Sequence, residues 1–274
     1  MKRLIASIIV CFVTVTMFSQ AIADIEVSYT ALSPNFKNGE VDVKNQYILL
    51  SNTKESKFFS PVTEYIDSLN STPDGAAKLN EMMRAAVREG NFDDMPGKDG
   101  TYYIVKSSQP RTLTYYDSVG LDQYCYEETP EDWTWTITDS TKEILGYECF
   151  LATTDYHGRK WSAWFAPDIP VSNGPWKLDG LPGLILEASA SDGEYRFVAN
   201  GIQTSSKPIG IVYLADGYDK TDRKSFLKFK RAFIDNPIGS INVQMGGDIS
   251  LSDVSNTSIF ASSEVVDFIE TDYH

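Results

Sequence analysis

"TYYIVKSSQPRTLTYYDSVGLDQYCYEE", residues 101–128, decides the fold class. Three runs rich in β-branched and aromatic residues follow one another, parted only by the turn residues Pro110-Arg111 and Ser118-Val119-Gly120. Such spacing predicts antiparallel hairpins, because alternating strand–helix units need far longer intervals. Working outward, residues 132–138, 147–156, 159–166, 181–188 and 194–202 repeat the pattern, with turns at "ETPED", "HG", "DIPVSNGP" and "SDG". In "DWTWTIT", Trp133, Trp135 and Ile137 share one face and Thr134, Thr136 and Thr138 the other, which predicts a strand with one dry aromatic side. His157-Gly158 is suited to the positive φ of a tight hairpin turn.

Upstream, "IEVSYTAL" (25–32) and "QYILLSN" (46–52) predict two more strands. The period then changes. Ser60 caps and Pro61 starts a helix in "SPVTEYIDSLN", and "DGAAKLNEMMRAAVREG" (74–90) carries Ala76, Leu79, Met83, Ala86 and Val87 on one stripe before Gly90 stops it. A third helix, basic, is predicted over "KTDRKSFLKFKRAFIDNP" (220–237), with Phe226, Phe229, Phe233 and Ile234 on one side. The Ser- and Asp-rich remainder predicts loop or irregular packing. The expected architecture is one α+β domain, residues 24–274, mostly β: a curved antiparallel sheet or half-open β-barrel with a few short helices.

Residues 1–23 have the three-part layout of a cleaved secretory signal peptide. A basic start (Lys2, Arg3) precedes an apolar run from Leu4 to Phe18, and Ala21-Ile22-Ala23 offers small residues for cleavage. No later stretch approaches the ~20 apolar residues of a spanning helix, so an exported chain, periplasmic or extracellular, with no membrane span after cleavage is expected. Losing Lys2 and Arg3 takes the formal charge from −14 to −16, a balance that repels nucleic acid and anionic lipid. Of three cysteines, Cys11 leaves with the signal. Cys125 and Cys149 are expected to form a disulfide in an oxidising compartment, the alternatives being free thiols or a metal-binding pair.

Catalytic signatures are missing from the sequence. There is no Gly-x-Ser-x-Gly elbow, no His-Glu-x-x-His, no phosphate loop and no dinucleotide fingerprint. His157 is the one non-terminal histidine, which supplies a metal site poorly, and no metal or cofactor is expected. Asp216, Asp219 and Asp222 miss the spacing of a calcium loop. All five tryptophans, Trp133, Trp135, Trp161, Trp164 and Trp176, fall within 44 residues, either as the core of the sheet or as the lining of an apolar pocket.

"SNGPWKLDGLPGLILEA" (172–188) is turn chemistry. Gly174-Pro175 and Gly180 punctuate it, and Leu181-Pro182-Gly183-Leu184 fits a type II turn that launches a strand. A phosphate cradle would need converging N–H groups at a helix start, which Pro182 and the following strand do not provide. The segments Lys-x-Ile-x-Gly-Tyr-x-Cys (142–149), Gly-Arg-x-Trp-x-Ala-Trp (158–164), Ile169-Pro170, Gly-Pro-Trp-Lys (174–177) and "GLPGLI" (180–185) together resemble the GLPGLI family of uncharacterised secreted proteins of Bacteroidota. Phe165 stands where that family more often has tyrosine. The resemblance implies an envelope location and brings no reaction, substrate or catalytic residue. Two functional expectations follow. The first is a non-enzymatic periplasmic binding or carrier protein for an apolar or peptide ligand, with Arg159, Trp161, Trp164, Trp176 and Lys177 near its site. The second is an assembly or interaction factor with an envelope protein partner. A hydrolase ranks behind both.

Overall fold

The computed structural model describes residues 20–35, 40–41, 43–91, 95–246 and 267–274. Most of the expected leader and residues 247–266 of the tail lie outside them. The fold is mostly β: a twelve-stranded open sheet in the order β12-β6-β5-β4-β3-β2-β1-β11-β10-β9-β8-β7, with four helices among the described residues. The strands are β1 (Ile25–Ser33), β2 (Val43–Ser51), β3 (Glu55–Phe59), β4 (Tyr103–Ser108), β5 (Arg111–Val119), β6 (Asp122–Glu128), β7 (Thr136–Ile144), β8 (Tyr147–Tyr156), β9 (Arg159–Ala166), β10 (Leu184–Ala190), β11 (Arg196–Thr204) and β12 (Asp219–Lys220). All neighbours are antiparallel except β12 and β6. The three runs of the opening stretch are β4, β5 and β6, paired as successive hairpins.

The sheet is open but strongly curved. Ten strand spacings separate β6 from β7, about 48 Å across a flat sheet. The connection between them, residues 129–135, spans at most about 28 Å even when fully extended. Its two wings must therefore bend toward each other, and the interior of the curve holds the main core. Val27 and Tyr29 of β1, Leu49 of β2, Phe58 of β3, Trp161 of β9 and Phe197 of β11 all belong to that one cluster.

In the middle of the sheet both faces are covered, which is why "YILLS" is a continuous apolar run. Tyr47 and Leu49 point inward, while Leu50 joins Phe59, Tyr103 and Ile209 in a second cluster on the outer face. Helices α1 (Pro61–Asn70) and α2 (Pro73–Glu89) form the insertion between β3 and β4. Ser60 and Thr72 cap them, and Gly90 ends α2 at φ 69°. On α1, Asp67 accepts from the Tyr103 hydroxyl at 2.7 Å and pairs with Lys98 at 2.6 Å. On the predicted α2 stripe Leu79 and Ala86 are buried, Ala76 and Met83 half-buried and Val87 exposed. Helix α3 (Arg223–Asp235) lies on the inner face at β5 and β6, followed by α4 (Pro237–Gln244).

Three expectations need correction. Trp133 and Trp135 precede β7 instead of lying in it. Their rings stack at 5.3 Å, and both indole N–H groups bond to Asp179 of the β9–β10 connection, which holds them off the sheet. The "LPGL" turn closes with a bond from Gly183 N–H to Leu181 C=O, with Gly183 at φ 159°. This is a three-residue turn, not type II. Here glycine is required by space, because a Cβ on Gly183 would overlap the Ala166 carbonyl.

The expected disulfide is not formed: Cys125 and Cys149 are buried free thiols. They lie on β6 and β8, nine positions apart in the sheet order. Cys125 Sγ faces the Tyr218 carbonyl at 3.9 Å and Cys149 Sγ the Tyr147 carbonyl at 3.5 Å. Burial pushes both thiol pKa values up, which keeps them protonated and weakly nucleophilic.

Candidate binding site

The β9–β10 connection, residues 167–183, folds into the curve of the sheet instead of running outside it. Ile169, Trp176, Leu178 and Leu181 are buried there. The connection is fixed by bonds from Leu184 N–H to Ile169 C=O and from Ile185 N–H to Asn173 C=O. Trp176 takes a left-handed backbone, φ 53°, unusual for a bulky residue. Its ring stacks on Trp161 at 5.4 Å and meets Tyr156 edge-on. Both Trp161 and Trp176 are wholly buried. Among the described residues their indole N–H groups have no hydrogen-bond partner. Trp164 points to the opposite face, with the Lys142 ammonium 4.4 Å above its ring. The structure thus brings Trp161 and Trp176 together inside the core and sets Trp164 apart.

The two cations expected at the site are also inside, and both hold the chain's own C-terminal segment. Residues 267–274 cross the interior as an irregular strap, with Phe268, Glu270 and Tyr273 buried. Lys177 Nζ bonds Glu128 at 2.6 Å and Glu270 at 2.7 Å and faces the Tyr126 ring at 5.0 Å. Arg159 donates to the Phe268 carbonyl through Nε (3.0 Å) and Nη2 (2.7 Å), and also pairs with Asp192 and with Glu194 at 2.7 Å.

Arg223, the first residue of α3, completes the cluster with bonds to Glu270 at 2.7 Å and Asp272 at 2.6 Å. His157 Nδ1 lies 3.1 Å from Asp272. Burial alone would raise the Glu270 pKa, but Lys177, His157 and Arg223 outweigh it and hold the carboxyl below its usual range. The same contest, decided by Arg223 and His157, leaves Asp272 at about 2.

His157, Glu270 and Asp272 place one ligand atom each within 4.8 Å of one another. Lys177 and Arg223 already occupy those carboxylates, so two fixed positive charges oppose a cation there.

Beside the strap lies a pocket of about 690 Å³, within the range of small-ligand sites. A ladder of stacked rings runs Phe58, Tyr47, Tyr102, Tyr115, Tyr126, and its four tyrosines form one wall. Successive centroids are 4.8, 5.0, 5.6 and 5.0 Å apart, and interplanar angles are at most 24°. Because the faces are spent on each other, the rings offer mainly edges and hydroxyls to the pocket. Burial pushes the Tyr102, Tyr115 and Tyr126 hydroxyl pKa values well up, so they remain neutral. Helix α3 forms the opposite wall. Phe226 packs at 5.7 Å against both Tyr115 and Tyr126, and Lys230 bonds the buried Asp117 at 2.8 Å. Phe268, Ile269 and Glu270 of the strap line a third side.

Sequence reasoning missed the ladder and the strap. The signal for the strap was the return of apolar and aromatic residues in "DFIETDYH" after a Ser-rich stretch. Of the three aspartates that miss the spacing of a calcium loop, Asp222 caps α3 by accepting from Ser225 N–H at 3.0 Å.

Residues 156–187, from the end of β8 through β9 and the inward connection into β10, match the family model "Protein of unknown function (Porph_ging)", an uncharacterised Bacteroidota-type family. No curated protein matches the chain. Among solved structures, "Structure of PNGF-II in P21 space group" superposes with a TM-score of 0.51 at 14% identity, covering 76% of this chain and 33% of that one. "Structure of PNGF-II in C2 space group" gives 0.49 at 14% identity, over 77% and 33%. This chain therefore spans about a third of the first structure's own length, and the first likeness is one of fold alone.

Proposed function

We propose that this chain is an exported GLPGLI-family protein that acts without catalysis, as a periplasmic binding or carrier protein for an apolar or peptide ligand. The leader layout and the family motifs support the location. The ring-lined pocket between the sheet and α3 carries the binding assignment. It combines an apolar lining, a few hydroxyls and the charges of Lys230 and Arg231 at its side, the usual composition of a specific small-ligand site. The ligand site is this pocket; the Trp161–Trp176 pair is not among its lining residues and packs in the core.

The test uses N-phenyl-1-naphthylamine, an uncharged apolar fluorophore, with the purified protein. Saturable, blue-shifted emission at one site per chain is expected. Asn45 lines the pocket and is only half-buried, so Asn45→Trp should fill the space without disturbing the core and weaken binding at least tenfold. Equal binding by the wild type and Asn45→Trp would show that the fluorophore sits elsewhere and defeat the assignment.

A further inference from the structure

The strap, residues 267–274, is held in an unusual way. It joins no strand of the sheet. Its backbone is read at three points: the Phe268 carbonyl by Arg159, the Asp267 carbonyl by the Tyr195 hydroxyl at 3.0 Å, and the Thr271 N–H by the His157 carbonyl at 2.9 Å. Its side chains are read at five, the first being Asp267, which pairs with Arg231 at 3.5 Å. Glu270 and Asp272 meet Lys177, Arg223 and His157, while Phe268 and Tyr273 are buried in the main cluster. The surface doing the reading is also shaped for it, since a Cβ on Gly158 would overlap the Thr271 hydroxyl and crowd the Asp272 N–H. These contacts converge from the β8–β9 turn, β9, the inward connection and α3.

We infer that this cluster is a peptide-recognition site, filled in cis by residues 267–274 of the same chain. Its ligand in trans is an acidic segment of a partner protein with the same pattern, Phe-x-Glu-x-Asp-Tyr. The charge distribution carries the choice of ligand. The chain as a whole has a formal charge of −14, yet Lys177, Arg159, Arg223 and His157 are gathered around one groove. Without an anionic occupant, the wholly buried Lys177 would keep Glu128 alone, and a buried cation short of partners is costly. The site therefore selects carboxylates two and four residues after an aromatic anchor. Bidentate pairing with Arg223 fixes the second of them. Since Phe268, Ile269 and Glu270 also wall the pocket, exchange of the strap and entry to the pocket are coupled. The inference deepens the binding-protein reading by naming a peptide class, and the two can fail separately, because the fluorophore reports the pocket and a peptide reports the charge cluster.

The strap is joined covalently to the rest of the chain through the twenty residues 247–266, so it competes at the site as an intramolecular ligand. The test is to place a site-specific protease sequence within that stretch of the full chain, fold the protein, and cut it. A fluorescein-labelled peptide of residues 267–274 is then followed by polarisation. The cut chain is expected to exchange its strap and bind the peptide at least tenfold more tightly than the uncut chain does. The same peptide carrying Glu270→Gln and Asp272→Asn should bind at least tenfold more weakly. Equal binding by cut and uncut chains, or undiminished binding of the neutralised peptide, would overturn the inference. So would a strap fragment that leaves the cut chain only when the sheet unfolds, because the segment would then be a fixed part of the core.

Discussion

Lys177 concentrates the energetic logic of the interior in one residue. Its side chain is wholly buried between two carboxylates and two tyrosine faces. Taking an ammonium out of water is expensive, and only close, hydrogen-bonded partners offset it. Lys177→Met keeps the stem but removes the closest cation from Glu128 and Glu270, which retain Arg223 at 3.9 and 2.7 Å. Urea unfolding should show a loss of about 3 kcal/mol, the low end for a broken buried pair. The double variant Lys177→Met/Glu270→Gln should lose less than the two single changes together, because it removes both ends of the interaction. Additive losses would mean that the pair does not interact as its 2.7 Å contact implies.

At the scale of elements, the strap should be acid-labile. Glu270 and Asp272 both have folded pKa values below their ordinary 4.5 and 3.8. Groups of this kind bind protons more readily when unfolded, so their stabilisation is complete above the unfolded values and is lost as pH falls through the folded ones. The expected window runs from about pH 4 down to about 2, where Asp272 titrates. Thermal midpoints measured from pH 6 to pH 2 should fall in that interval, and Asp272→Asn should start lower and fall less. An unchanged slope would remove Asp272 from the linkage.

Elements governed by near neighbours were legible in the sequence. The hairpins from β4 to β6, the Ser60 cap, the Gly90 stop and the His157-Gly158 turn all rest on contacts within a few residues. The strap site was not, because it joins residues 128, 157, 159, 177 and 223 to 267–273. The decisive carboxylates, Glu270 and Asp272, are two among 38 acidic residues. Trp133 and Trp135 show the same limit from the other side. Their alternation is that of a strand, but a distant acceptor, Asp179, draws them out of it.

For the whole molecule, the curvature of the sheet sets what the cysteines can do. Cys125 and Cys149 lie on opposite wings, each packed against its own neighbours. Thiol titration with Ellman's reagent should therefore find both reduced in the protein lacking residues 1–23, reacting fast only in denaturant. Reducing agent should leave the thermal midpoint unchanged. A mass two hydrogens below that of the dithiol and restored by reductant, or a midpoint lowered by reductant, would restore the bridge and require the wings to close further than they do here.

The placement of β1 near the centre of the sheet has a consequence for the order of events as the chain is made. One of its neighbours, β2, follows at once, but the other is β11, with Ile25 opposite Thr204. The central seam thus stays unzipped until roughly three-quarters of the polypeptide has emerged, and the two wings cannot be joined before then. Long-range pairing of this kind makes for slow folding. A chain built in this way completes its sheet only after most of its length has been made.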